Sequence, residues 1–392
     1  FWLKAVCFCA SLPHSPEAME SEAPPKQNPI FGKLRLAGLT AIAFSILYCV
    51  TGKSGLPDGN LFAILCIYVM SLLGGTIVGN LGLRLPPLLG MLIMGFALSN
   101  LPFIGEHVGT RVAPAWSSEI RLLALTMILC RAGLGLNVSA LARLKCAVAG
   151  LAILPSTLEA IAVAVMAVVF LGFSWQWGLM FGYVIAPISP AVVIPSVLAL
   201  SDQGYGATAG LPSIMVASAA LDDVLSLAGF GIFKSLSLES GSTPLWMNLL
   251  SVPISFSLGL VTGWVAGQVM AVLLTKDGEY NPTWRAGWLF GSSVVLMTGL
   301  KQAGFDGASA LAVLVQCVVV VRCWGPEVSK PVSATFNEVW NHLAQPLLFG
   351  LVGAGVRVDQ METSELLTAL AILAVSLTWR LVVTFFAVSG AG

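Results

Sequence analysis

The chain has 392 residues, 57% of them hydrophobic and only 10% charged, with a formal net charge of zero. Its mean hydropathy is +0.90. A soluble domain carries about 25% charged residues, so this composition excludes an ordinary soluble domain and indicates an all-α polytopic membrane protein. The neutral balance also argues against nucleic acid as a partner.

Residues 1–12 are apolar but lack a basic flank and are too short to span a bilayer, which argues against a signal peptide. Residues 13–29 are rich in Pro and Glu, and 1–33 as a whole reads as a disordered cytosolic tail. A chain that opens on Phe1 rather than Met is expected to be a fragment or an incomplete gene model. The remainder, 34–392, reads as one transmembrane domain.

Apolar runs broken at charged or Pro/Gly-rich turns predict about twelve spans: 34–50, 60–80, 86–104, 118–136, 146–171, 175–200, 209–233, 245–274, 284–300, 308–324, 336–356 and 366–388. Lys301, Gln302 and Asp306 crowd the turn between the ninth and tenth. Loops on the side of the N-terminus hold eleven Lys and Arg against six on the other side. By the positive-inside rule the N-terminus is cytosolic. The Asn137-Val138-Ser139 sequon then faces the cytosol and is expected to stay unglycosylated.

Eight cysteines are scattered through the apolar runs without CxxC spacing. They read as small buried hydrophobes, with neither a disulfide framework nor a metal site. His14, His107 and His342 fall in the tail, in a loop and near a span end, and no Ser/His/Asp grouping accompanies them. Gly52–Gly55 (GKSG) lacks the full phosphate-loop pattern and reads as a turn. An enzyme is not expected, and no cofactor is implied.

Few ionisable residues lie well inside the predicted spans: Arg131, Glu159, Asp222, Asp223 and Arg380. Each charge at mid-membrane costs on the order of 2.5–3.5 kcal/mol on insertion scales, so each needs a partner or a purpose. Asp222 and Asp223 are side by side in the seventh span. Adjacent helical residues point about 100° apart, so one can face a cavity while the other faces protein. Burial and a like-charged neighbour both favour the protonated form of a carboxyl group. A group that exchanges a proton near neutral pH can exchange it for a metal cation instead. Oxygen ligands and a single negative charge suit Na⁺ or Li⁺, and Asp223 and Asp222 are therefore the candidate ion and proton site.

Glu159 is central in the fifth span and Arg380 in the twelfth, and the two spans run in opposite directions. Opposite charges at similar depth point to inverted repeats meeting at the midplane, with Glu159 and Arg380 as a structural ion pair. Arg131 is near the cytosolic end of its span, where a long side chain can snorkel to the interface.

The sixth span carries Pro187, Pro190 and Pro195. A proline removes its own N–H and clashes with the carbonyl four residues back. Pro187 and Pro190 thus free the carbonyls of Tyr183 and Ala186 near mid-membrane. Irregular backbone at that depth is tolerated only where protein buries it or it lines a wet cavity. Ser189 adds a hydroxyl, and Pro187, Ser189 and Pro190 mark a broken-helix cation site one span before the two acids.

These stretches carry a resemblance. Arg131–Leu136 (RAGLGL), Ile188–Ser196 (ISPAVVIPS), Leu221–Phe230 (LDDVLSLAGF) and Gln345–Val356 (QPLLFGLVGAGV), with Ser174–Gly178 and Gly59–Phe62, resemble the animal NHA branch of sodium/proton antiporters, relatives of bacterial NhaA. The resemblance covers roughly residues 35–390. It implies an NhaA-like inverted-repeat fold with broken helices, a homodimer, and a mobile core domain working by elevator-like alternating access. It further implies that Asp223 carries the metal ion (Na⁺ or Li⁺) or the proton with Asp222 beside it, and that Glu159 and Arg380 form a membrane-embedded salt bridge. Three positions depart from the family pattern. Pro187 stands where a small residue is usual, Gly355 where an acid is usual, and the chain stops at Gly392 where the family continues with a second broken helix bearing a lysine and a final span.

The expected function is exchange of Na⁺ (or Li⁺) for H⁺ across a plasma or organellar (mitochondrial or endosomal) membrane, with lipid and a second copy as partners. The alternative is a truncated, non-transporting paralogue that dimerises with or regulates a full-length antiporter. A channel or organic-anion carrier would want basic residues in the broken helix, and the sixth span has none.

Overall fold

The structure, a computed structural model, describes residues 38, 41–42, 45–46, 48–80, 86–136, 145–189, 192–193, 196–197, 200, 203–204, 211–238, 245–275, 281–360 and 363–389. The expected tail, the Asn137 sequon, Pro190 and Pro195 lie outside them. Every regular element among the described residues is helical. The chain forms two compact units, Phe1–Lys53 and Ser54–Gly392. In the first, the described residues are helical.

In the second unit the helices are α1 (Asn60–Asn80), α2 (Pro87–Asn100), α3 (Pro114–Leu134), α4 (Lys145–Leu171), α5 (Trp175–Ile185) and α6 (Leu211–Leu238). They continue as α7 (Leu245–Leu273), α8 (Pro282–Gln302), α9 (Asp306–Trp324), α10 (Pro326–Val339), α11 (Gln345–Ala354) and α12 (Thr363–Ser389). Proline opens α2, α3, α8 and α10. At the first helical position its missing N–H would have had no partner anyway. A single residue, Gly325, links α9 to α10 with φ of 78°, a backbone setting that glycine reaches without steric cost.

By length and apolarity alone, Asn60–Asn80, Val148–Leu171, Pro253–Leu273 and Leu366–Ala387 could each cross a membrane. Among the other described helices, α2, α5, α9, α10 and α11 are shorter, and α6 and α8 carry polar side chains turned into the protein, Asp222 and Arg285. Two expectations need correction. The third span ends as an α-helix at Asn100, and residues 105–109 form a wider π turn. The predicted eleventh span begins ten residues too late, because α10 already starts at Pro326. Its Glu327, Lys330 and Glu338 are exposed while Ser329, Val332 and Phe336 are buried. An amphipathic helix of that kind is invisible to an apolar-run criterion.

Between α10 and α11, residues Trp340–Ala344 widen into a π turn. Pro346 has no N–H to give the carbonyl of His342, so the α-helical ladder cannot close there. The Tyr68 hydroxyl of α1 donates to that carbonyl instead, at 2.8 Å. Further along, Ser99 donates to Ala354 O at 2.7 Å and Asn100 to Val356 O at 2.8 Å, capping the end of α11 from α2.

Helices α1, α2 and α11 pack together, α4, α5, α6 and α12 form a second group, and α9 packs against α3, α6, α7 and α8. Membrane helices gain little from apolar burial and pack through small residues. A Cβ on Gly95 would meet Gly350 O at 2.1 Å, and one on Gly182 would meet Ala160 O at 2.2 Å. Along α7, Gly259, Gly263 and Gly267 lie against α9 at four-residue spacing. The main apolar core gathers Ile128, Leu289, Val313, Val320, Phe336 and Trp340 from α3, α8, α9, α10 and the π turn. Cys130 and Cys317 are buried as expected, but Cys49 and Cys323 are exposed.

Outside the membrane-spanning helices, His107 Nδ1 is 2.7 Å from Asp58 Oδ1, and Arg111 Nη2 is 3.4 Å from the same oxygen. The hydrogen bond from His107, with the charges of His107 and Arg111, holds the Asp58 carboxyl below its ordinary range. Asp58 (φ 74°) and Phe103 (φ 72°) are the positive-φ non-glycine residues among the described residues, and both touch His107.

Candidate ion site

Helix α5 ends at Ile185, and residues Ala186 to Ser189 leave the helical path. Val192 and Val193 then donate backbone N–H bonds to Ser189 O, each at 3.1 Å, so helical bonding resumes after Ser189. The break therefore covers Ala186 to Ile188, with Pro187 half-buried inside it and Ser189 at its far edge, exposed.

Asp222 closes the break from α6. It is 1% exposed, and its Oδ2 accepts the Ile188 backbone N–H at 2.9 Å and Arg380 Nη2 at 3.2 Å. Its Oδ1 accepts from Ser226 Oγ at 3.5 Å. Arg380, on α12, also donates through Nη1 to Glu159 Oε2 on α4 and to Ala186 O in the break. That carbonyl is one the proline spacing frees, since Pro190 has no N–H to offer it. Glu159 is 1% exposed, and the pair expected between it and Arg380 is present. One guanidinium thus joins α4, α5, α6 and α12.

Asp223 differs from its neighbour. It is only partly buried, and among the described residues no hydrogen bond or ion pair reaches its carboxylate. The 100° step between adjacent helical residues accounts for the contrast. The face of α6 carrying Ser218, Asp222 and Ser226 packs toward α4, where Ser218 bonds Val148 O at 3.2 Å and Ser226 bonds Ser156 at 3.2 Å. Asp223 is turned off that face. Among the described residues the site therefore holds one carboxylate engaged by protein and one that is not.

Arg131, on α3, is half-buried, with Nη1 inside the protein. Sequence reading missed Ser156, Ser218 and Ser226. The spacing of Ser218, Asp222 and Ser226 at every fourth position was the available signal, since such residues share a helix face.

Comparison with known proteins bears on this geometry. A family model described as the sodium/hydrogen exchanger, transmembrane, matches residues 68–392. Sodium/hydrogen exchanger 9B1 of Macaca fascicularis is 36% identical over 372 residues, covering 93% of this chain and 72% of its own length. Sodium/hydrogen exchanger 9B2 of Homo sapiens is 34% identical over 358 residues, covering 90% of this chain and 66% of its own. The solved structure of the sodium proton antiporter MjNhaP1 from Methanocaldococcus jannaschii superposes with a TM-score of 0.67 at 15% identity. That match covers 84% of this chain and 78% of the other, and it shows the fold.

Proposed function

The chain belongs to the sodium/hydrogen exchanger family as a multi-pass integral membrane protein, and from that premise we propose that it exchanges Na⁺ (or Li⁺) for H⁺ with Asp223 as the shared site. The observation that carries this reading is the division of labour between adjacent acids. Asp222 is committed to Arg380 and to the Ile188 N–H, while Asp223 keeps its oxygens for a ligand. A cation on Asp223 and a proton on Asp223 exclude one another, which is the minimal requirement for coupling two fluxes through one group.

Asp222, Arg380 and Glu159 serve as the frame. They hold the break at Ala186 to Ile188 beside α6 and compensate one another's burial. Pro187 and Ser189, at the break, supply a carbonyl and a hydroxyl that complete a cation's oxygen shell alongside water, and Pro190 contributes by having no N–H to give the Ala186 carbonyl. The core group α4, α5, α6 and α12 carries the loaded site from one face to the other by alternating access. The protein works as a homodimer in lipid, with its N-terminus in the cytosol, in a plasma or organellar membrane.

The test is Na⁺- or Li⁺-driven proton movement in reconstituted vesicles. Asp223→Asn is expected to abolish pH-dependent flux, by at least about a hundredfold, the scale on which loss of a group that makes and breaks the key contact is felt. Flux at the parent rate in Asp223→Asn vesicles would overturn the assignment.

A further inference from the structure

Ser156 and Ser226 are each 1% exposed and face one another across the α4–α6 interface with oxygens 3.2 Å apart. Neither is needed to neutralise charge, and a hydroxyl pair buried between two membrane helices is not explained by apolar packing. Ser226 stands one turn beyond Asp222, whose Oδ1 accepts its hydroxyl proton at 3.5 Å. With Asp222 ionised, the direction of the chain is fixed: Ser156 donates to Ser226, and Ser226 donates to Asp222. One turn before Asp222, Ser218 bonds the Val148 carbonyl at 3.2 Å.

Two hydroxyl contacts eight residues apart on one face fix how far α6 is rotated about its own axis. They span about 12 Å at 1.5 Å per residue, a long enough baseline to resist twisting. A carboxylate's own terminal torsion is soft, and Ser226 adds a third direction of hold on Asp222 beyond Arg380 and Ile188. The direction in which Asp223 leaves α6 follows from that rotation.

We infer that Ser226, supported by Ser156, is a positioning residue that fixes the rotation of α6 and so aims Asp223 at its ligand. The inference rests on the Asp223 reading above. Ser226→Ala removes the donor to Asp222 and the acceptor for Ser156. Ser156→Ala removes only the outer link, and it does so from α4 without touching the acid-bearing helix.

The experiment measures exchange in vesicles across a Na⁺ or Li⁺ series, with melting temperature followed in detergent. Ser226→Ala is expected to raise the apparent KM for the metal ion about three- to tenfold, the range that loss of one modest hydrogen bond produces. Maximal rate is expected to stay within about twofold of the parent on the same scale. Ser226→Thr, which keeps the hydroxyl, is expected to restore the parent KM. Ser156→Ala is expected to shift KM in the same direction by less, and the double alanine variant to match Ser226→Ala alone because both act through one chain. A lowered melting temperature with KM unchanged in both alanine variants overturns the inference, as does a double variant whose effects add in full. If Ser226→Ala does not fold, Ser156→Ala alone decides it by its KM. Asp223→Asn in the same series separates the two readings. Retained flux there removes the ion-site assignment, whereas abolished flux with unaltered serine variants removes only the positioning role.

Discussion

Arg380 donates to acceptors on three separate segments: Glu159 on α4, Asp222 on α6 and Ala186 O in the break after α5. Breaking a buried pair by deleting one partner costs about 3–5 kcal/mol, because the other charge stays buried without compensation. Arg380→Met leaves two acids in that state. It is expected to lower stability by about that amount, read as a large drop in melting temperature, and adding Glu159→Gln is expected to recover part of it. The exposed Asp58 cluster behaves differently. Its carboxyl is held below the ordinary range by His107 and Arg111. A depressed acid contributes stability above its unfolded value of about pH 3.9, and that contribution is lost as pH falls through the folded value. The clasp between residue 58 and residues 105–111 is expected to hold at neutral pH and open only below about pH 4. Faster backbone hydrogen exchange at 105–109 as pH is lowered through that window, corrected for intrinsic rates, checks this, and His107→Ala should shrink the step to what Arg111 alone sustains.

Elements in this protein meet at glycine and alanine. Gly182 brings α5 onto Ala160 of α4 so closely that a Cβ would sit 2.2 Å from the carbonyl. Gly182→Val is expected to force the two helices apart at a cost of about 1–3 kcal/mol and to pull Ala186 away from Arg380. The readout is loss of both melting temperature and exchange, with Gly150→Val, which has open space, as the unaffected control. Much at this scale was legible beforehand. Prolines at 187 and 190 announced a broken helix because a missing N–H leaves the same mark in any fold, and Glu159 and Arg380 announced a pair because isolated mid-membrane charges are too costly to leave alone. Three things were not legible. The reach of Arg380 to Asp222 depends on helix rotation, which hydropathy does not encode. The start of α10 was hidden by its charged face. The π turn at 340–344 needed the absent N–H of Pro346 to be matched with Tyr68, which is remote in sequence.

At the scale of the whole molecule, direction in the membrane is a matter of loops. Eleven Lys and Arg against six favour a cytosolic N-terminus. In a cysteine-free background, Lys301→Cys in the last turn of α8 is expected to react with a membrane-impermeant thiol reagent from outside intact cells. Lys330→Cys on α10 is expected to react only after permeabilisation, and the reverse pattern would invert the topology. The frame around Arg380 also constrains how the machine turns over. Glu159 and Asp222 already share the Arg380 guanidinium, so on the exchange proposed above an Asp223 that has shed its proton and not yet taken a metal ion adds one uncompensated negative charge to the site. Dragging that bare form through hydrocarbon is far costlier than carrying either neutralised form. Under the proposed exchange, empty returns are thereby suppressed, and an uphill step for one ion is obliged to wait for a downhill step of the other.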